Sequence, residues 1–79
     1  MLQIKILSPS ECIYDEKVTH ITLPGELGAF SVYPKHAPLI STLVKGVIVC
    51  YPAGGDKRIF PIESGFVEVS DDRIIACIE

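Results

Sequence analysis

With 79 residues, 48% of them hydrophobic, the chain suffices for one domain, residues 1–79. A chain of this size buries only about 60% of the surface it exposes when unfolded, so surplus apolar material is expected on a surface that another chain covers. Ten acidic against seven basic side chains leave a net charge of −3, which gives no large basic field to neutralise phosphates and disfavours nucleic acid as the main partner. No apolar run approaches the ~20 residues that span a bilayer, and the opening residues alternate instead of forming a signal peptide, so a soluble chain without an export address is expected.

From Met1 to Leu7 the pattern alternates, with Leu2, Ile4 and Ile6 on one face and Gln3 and Lys5 on the other, which predicts a half-buried strand. Ser8-Pro9-Ser10 ends it with turn chemistry, and a second strand runs from Glu11 to Leu23. Val18 and Ile21 lie three apart, so strict alternation would point them to opposite faces; a β-bulge near His20 would turn both inward. The stretch Pro24 to Leu39 is different in kind. Gly25 and Gly28 are expected to supply a tight reversal through positive φ, and Phe30 and Val32 to share one face of a strand. Pro34 and Pro38 then flank His36, remove two backbone donors and predict a stiff, extended connector, a shaped loop presented to a partner.

Leu39 to Leu43 reads as a short strand, and Lys45-Gly46 as a break before Val47 to Tyr51. In that next strand Val47, Val49 and Tyr51 face one way and Ile48 and Cys50 the other. Neither side is polar, whereas an antiparallel sheet normally keeps one face wet. The strand is therefore covered twice within the domain, or a partner covers its outer face. Pro52-Ala53-Gly54-Gly55-Asp56 predicts a hairpin turn into Lys57 to Ile62, where Pro61 requires an edge position. Ser64-Gly65 opens a strand in which Phe66 and Glu68 alternate with Val67 and Val69, Asp71-Asp72 turns, and Arg73 to Ile78 closes as an almost wholly apolar strand. No helical period extends beyond about two turns. Short strands with frequent turn signals predict an all-β fold, an antiparallel two-sheet β-sandwich or a barrel.

Candidate chemistry is sparse. Cys12, Cys50 and Cys77 each stand beside isoleucine, valine or tyrosine, with no CxxC pair and only two histidines in the chain. Core thiols are expected, with neither a metal site nor a disulfide, and the reducing cytoplasm is the natural compartment. His36 with Cys50 or Cys77 would be the material for a Cys-His pair, but no nucleophile motif accompanies them and catalysis is not expected. Gly25 with Gly28, and Gly54-Gly55, lack the Lys-Ser/Thr step and helix N-terminus of a phosphate cradle and read as turns. His20 reads as a hydrogen-bonded sheet residue. His36 either bonds a loop carbonyl or lies at an interface. Glu26, Glu63 and Glu68 read as solvated charges, with Glu26 at a loop tip where a basic patch could meet it.

Taken together, Gly25, Gly28, Phe30, Val32, His36, Ala37 and Pro38 form the pattern Gly-x-x-Gly-x-Phe-x-Val followed by His-Ala-Pro. The chain thereby resembles the epsilon subunit of the F-type ATP synthase, called delta in mitochondria, in its N-terminal β-sandwich domain. Leu2-Gln3-Ile4-Lys5-Ile6-Leu7-Ser8-Pro9-Ser10 is similar to the family's opening strand and turn, and Tyr14, Val18 and Ile21 to its second strand. Lys45-Gly46-Val47-Ile48 resembles the family's Lys/Arg-Pro-Gly step without its proline. Ser64-Gly65-Phe66-Val67-Glu68-Val69 resembles Gly-Gly-Phe-Val-Glu-Val with serine for the first glycine.

The resemblance implies a non-catalytic rotor subunit of the central stalk. Such a subunit bridges the gamma subunit and the c-ring, meets the alpha and beta subunits only indirectly, and transmits proton-driven rotation to ATP synthesis. It implies a ring contact at Gly25, Glu26, Leu27, Gly28 and Ala29, and a gamma contact at His36, Ala37, Pro38 and Leu39. The implied location is peripheral, on the cytoplasmic face of a bacterial plasma membrane. Many family members continue into a helical hairpin that restrains ATP hydrolysis and in some binds ATP; this sequence ends at Cys77-Ile78-Glu79, either a natural terminus or the end of the coupling half of a longer chain, and without the hairpin no ATP binding is expected. No cofactor or metal is expected either. The rival readings are a free-standing β-sandwich module that binds another protein or a carbohydrate, and a small hydrolase built on His36 and a cysteine.

Overall fold

The computed structural model describes residues 1–79, and aliphatic alternation decides which face of each strand points inward. Eight strands follow one another: β1 Leu2–Leu7, β2 Cys12–Gly25, β3 Gly28–Val32, β4 Leu39–Leu43, β5 Gly46–Pro52, β6 Arg58–Ile62, β7 Gly65–Ser70 and β8 Arg73–Ile78. The alternating aliphatics of β1, β7 and β8 are buried as expected: Leu2, Ile4 and Ile6, then Val67 and Val69, then Ile74, Ala76 and Ile78. They join one core cluster of 17 residues, to which Phe30, Leu39 and Phe60 add partly buried surface.

The two layers are not separate sheets. The 14-residue β2 belongs to both. Its first half pairs with β1 from Ile6↔Tyr14 to Leu2↔Val18, and its second half pairs with β3 on one side and β5 on the other. One layer therefore runs β3-β2-β5-β6, the other β4-β7-β8-β1-β2, and hydrogen bonding is continuous through β2. Every pairing is antiparallel except β1 with β8, which run parallel in the register Ile4↔Ile74.

The register shift of β2 against β5 falls between Val18 and His20, which leaves Thr19 as the extra residue. Val18 and Ile21 are both completely buried, the outcome that the bulge was expected to produce. A second shift, between Ile6 and Leu7, leaves Ile13 unpaired at the start of β2. That shift has no signal in the sequence, and it corrects the expectation for the cysteines. Cys12 lies opposite Leu7 beyond the reach of the core and is exposed, Cys77 is half-buried, and only Cys50 is a core thiol.

β5 is covered once. Ile48 and Cys50 are buried, while Val47 remains 43% exposed and Val49 and Tyr51 half-buried. β6 lies at the edge of its layer, with Pro61 opposite Val47, where its missing donor disrupts no ladder. Arg58 and Phe60 reach from this edge strand to Tyr14 on β2. The two rings are 4.9 Å apart at 50°, and the guanidinium lies 5.4 Å from the Tyr14 centroid, within cation–π range.

Leu23→Ala, which would empty a fully buried site, is expected to cost about 2–5 kcal/mol and unfold much of the population of so small a domain. Ile59→Ala, on the open face of β6, is expected to cost less than about 1 kcal/mol. Urea unfolding curves of the two variants provide the comparison.

Candidate functional site

The reversal between β2 and β3 closes on the pair Gly25↔Gly28, with Glu26 and Leu27 as its two central residues. Within this reversal, positive φ is confined to Gly28, at 127°. Gly25 serves a different need: a Cβ there would lie 2.8 Å from both the Gly28 carbonyl oxygen and the Phe30 ring, so its glycine is required by close approach rather than by φ. The turn is fastened to the second layer. Gly25 pairs with Leu43, the Glu26 N–H donates to the Thr42 carbonyl at 3.0 Å, and the Val44 N–H donates to the Pro24 carbonyl at 2.9 Å. With its backbone so held, the turn offers an exposed carboxylate at Glu26 and a fully exposed leucine at Leu27.

Residues 33–38 leave the other end of β3. Four residue steps along β3 separate Gly28 from Val32, which places the two segments about 13 Å apart. The connector is not extended throughout: Lys35 adopts φ 67° and turns the chain between the prolines. Ala37 and Pro38 are exposed and His36 half-buried. His36 Nδ1 lies 2.7 Å from the Ala37 carbonyl oxygen. A carbonyl only accepts, so Nδ1 carries a proton, and Nε2 is the ring nitrogen left without a partner inside the chain.

The structure divides the expected gamma contact. His36, Ala37 and Pro38 line a depression of 490 Å3 with Lys35, Asp71 and Asp72. Leu39 belongs instead to a groove of 410 Å3 shared with the turn, where Leu27, Ala29 and Phe30 face Leu39 and Ile40. This groove runs between β3 and β4, whose facing edges are not paired to each other.

Two surface features escaped the sequence reading, the second only in part. His20 is hydrogen-bonded as expected: its Nδ1 lies 3.0 Å from Thr19 Oγ1, which donates to the Tyr51 carbonyl. The ring is also stacked between Tyr51 at 4.1 Å and Tyr33 at 5.0 Å, within 11° of parallel to each. The bulge sets His20 and Tyr51 opposite one another, and period-two reading has no means to bring Tyr33 alongside. The second feature is the outer face of β5 and β6, where Val47 pairs with Pro61 and Val49 with Ile59. Its β5 half was visible as two-sided hydrophobicity, whereas the β6 half depends on register.

For a Cys-His pair the chemistry is unfavourable. Cys50 is fully buried, and burial pushes its thiol up from 9.0 to about 11, with Arg58 opposing the rise. Tyr14 is also raised, first by burial and then by the neighbouring Cys50 and Glu16. No group of three or more His, Cys, Asp or Glu gathers where a metal could be held.

The whole chain, residues 1–79, matches the family model described as "ATP synthase, Delta/Epsilon chain, beta-sandwich domain". It is 38% identical over 79 residues to the ATP synthase epsilon chain of Sulfurovum sp., covering all of this chain and 62% of that one. It is 40% identical over 78 residues to the epsilon chain of Nitratiruptor sp., covering 99% and 60% respectively. The chain thus spans less than two thirds of these relatives. Among solved structures it is similar to a chain of the Euglena gracilis mitochondrial ATP synthase (OSCP/F1/c-ring), with a TM-score of 0.91 at 24% identity over 98% of this chain and 49% of that chain. It is also similar to a chain from the central stalk and c-ring structure of the Tetrahymena thermophila mitochondrial ATP synthase, with a TM-score of 0.81 at 15% identity, covering 98% and 62%. At these identities the two structures speak for the fold.

Thiol labelling of the native protein is expected to modify Cys12 first and Cys77 more slowly, and to reach Cys50 only on unfolding. A group whose pKa is raised by folding binds its proton more tightly in the folded chain. The Cys50 contribution to stability is therefore complete below pH 9.0 and is lost as pH rises through about 11. Urea midpoints measured between pH 7 and 11 should stay level and then fall, and the fall should be shallower in Cys50→Val.

Proposed function

Since the chain belongs to the delta/epsilon β-sandwich family of ATP synthase subunits, we propose that it is a non-catalytic rotor subunit of the central stalk, bridging the gamma subunit and the c-ring so that proton-driven rotation reaches the catalytic sites. The observation that carries this reading is mechanical. A close-packed apolar core fills a body whose two exposed contact segments leave opposite ends of one strand, β3. Torque transfer needs a stiff body held on two sides.

The ring contact is assigned to Gly25, Glu26, Leu27, Gly28 and Ala29. The backbone there is anchored to β4, Glu26 supplies a charge for polar loops, and the fully exposed Leu27 supplies an apolar anchor that fits a permanent contact better than solvent. The gamma contact is assigned to His36, Ala37, Pro38 and Leu39, with Nε2 of His36 as the ring nitrogen free to hydrogen-bond gamma. The complex is membrane-associated, and the subunit's location is its cytoplasmic face in a bacterium. The alternative, a free-standing binding module, accounts for the exposed apolar surface but offers no reason for a family match along all 79 residues.

The test is substitution within the assembled enzyme. Glu26→Lys with Leu27→Asp should weaken retention on the ring, and His36→Trp should weaken retention on gamma. Each should lower proton-coupled ATP synthesis several-fold while the variant chain itself melts within a few degrees of the parent. Unchanged assembly and synthesis in both variants would contradict the assignment.

A further inference from the structure

The segment that carries His36 is tied to the rest of the molecule at a single backbone point. None of the six backbone–backbone hydrogen bonds made outside the strands involves residues 33–38, and Pro34 and Pro38 have no N–H to donate. The Lys35 N–H donates to the carboxylate of Asp72, at 2.6 Å from Oδ1. An ionised acceptor makes this bond stronger than a neutral one. Lys35 is also in the left-handed conformation, φ 67°, which disfavours a side-chain-bearing residue and persists where the surroundings hold it. The Asp72 carboxylate is the one group outside the segment that is hydrogen-bonded to its backbone.

Asp72 is itself firmly placed. It is the second central residue of the two-residue turn between Ser70 and Arg73, with Asp71 at φ 51° and Asp72 at φ 61°. Its carbonyl accepts a hydrogen bond from the Gln3 N–H of β1 at 3.0 Å. Two successive left-handed residues make the turn that suits a twisted hairpin, and glycine fills its second position with less strain than aspartate. Turn formation alone therefore does not account for aspartate at 72. The acceptor it extends to Lys35 does.

We propose that Asp72 is a positioning residue for the gamma contact: its carboxylate, fixed by the β7–β8 turn, holds the Lys35 backbone so that His36-Ala37-Pro38 is presented in one conformation before gamma arrives. The proposal rests on the reading of His36 to Leu39 as the gamma contact. Ordering the loop in advance removes an entropic cost from binding. The same link joins the crossover between the two layers to the β7–β8 turn, so a load on His36 passes into a hairpin of the core rather than into a free loop.

The test uses Asp72→Gly, which removes the carboxylate while favouring the turn, beside Asp72→Asn, which retains an acceptor oxygen, and His36→Ala. Three quantities are read: hydrogen exchange at the Lys35 amide, thermal stability, and affinity for the alpha–beta–gamma complex stripped of this subunit. Asp72→Gly should speed exchange at Lys35 and leave the melting temperature equal or higher. It should nonetheless weaken binding about tenfold, the loss expected with one charge-assisted hydrogen bond. Asp72→Asn should recover most of both losses. A purely structural role would tie affinity to melting temperature and is overturned by that pattern. If Asp72→Gly frees the Lys35 amide without changing affinity while His36→Ala weakens it, the positioning role is wrong and the gamma contact stands. If His36→Ala leaves affinity unchanged, the gamma contact itself is wrong and the proposal falls with it.

Discussion

The fold depends on the bulge at Thr19. β2 must bury Tyr14 and Val18 in its first half and Ile21 and Leu23 in its second, and these two sets have opposite parity along the chain. One extra residue reconciles them. Without it, every inward side chain of one half would turn to solvent, and β2 would serve one layer instead of both. The bulge lets a single strand pair with β1 before it and with β3 and β5 after it, which welds the layers where two loosely packed sheets would slide. It also turns Thr19 and His20 outward, so that the Thr19 hydroxyl closes on the Tyr51 carbonyl and His20 stacks on Tyr51 and Tyr33.

Rigidity at the two segments proposed as contacts follows from the same plan. The β2–β3 turn is bound to the last residues of β4, and the 33–38 crossover is bound to the β7–β8 turn. Each exposed segment therefore leans on a strand or turn of the opposite layer. Between them lies the groove where Leu27 and Ile40, the latter 76% exposed, face water. The outer face of β5 and β6 adds Val47 and Ile59, the latter 52% exposed. A domain with this much open aliphatic surface is suited to permanent contact with larger neighbours rather than to transient encounter.

Much of this was legible in the sequence for local reasons. Leu2-x-Ile4-x-Ile6, the Pro61 edge position and the three-residue offset of Val18 and Ile21 each encode a burial decision that does not depend on distant residues. The one-sided cover of β5 was half legible: hydrophobicity on both faces of Val47–Tyr51 required an answer, and the structure answers with an open face. What stayed hidden depends on register and crossover. The second bulge, which exposes Cys12, has no marker beside it, because Ile13 is as apolar as the residues that are buried. The Lys35–Asp72 link joins residues 37 apart, and the pairing of β1 parallel to β8 joins the two ends of the chain; neither has a local periodic signature. Gly25 was read as a positive-φ residue, whereas the Phe30 ring packed against it is the reason. The two segments proposed as contacts were singled out through the motif that carries the family resemblance. Their placement at opposite ends of β3 came from the hairpin register.

The most direct measurement of the central claim is affinity purification of the chain, tagged at its N-terminus, from mild-detergent extracts of its own cells, followed by mass spectrometry. A rotor subunit should bring down gamma with alpha, beta and the membrane ring, and should lose the ring before gamma when Glu26 and Leu27 are substituted. Recovery of the chain alone, under conditions in which the synthase stays intact, would contradict that role.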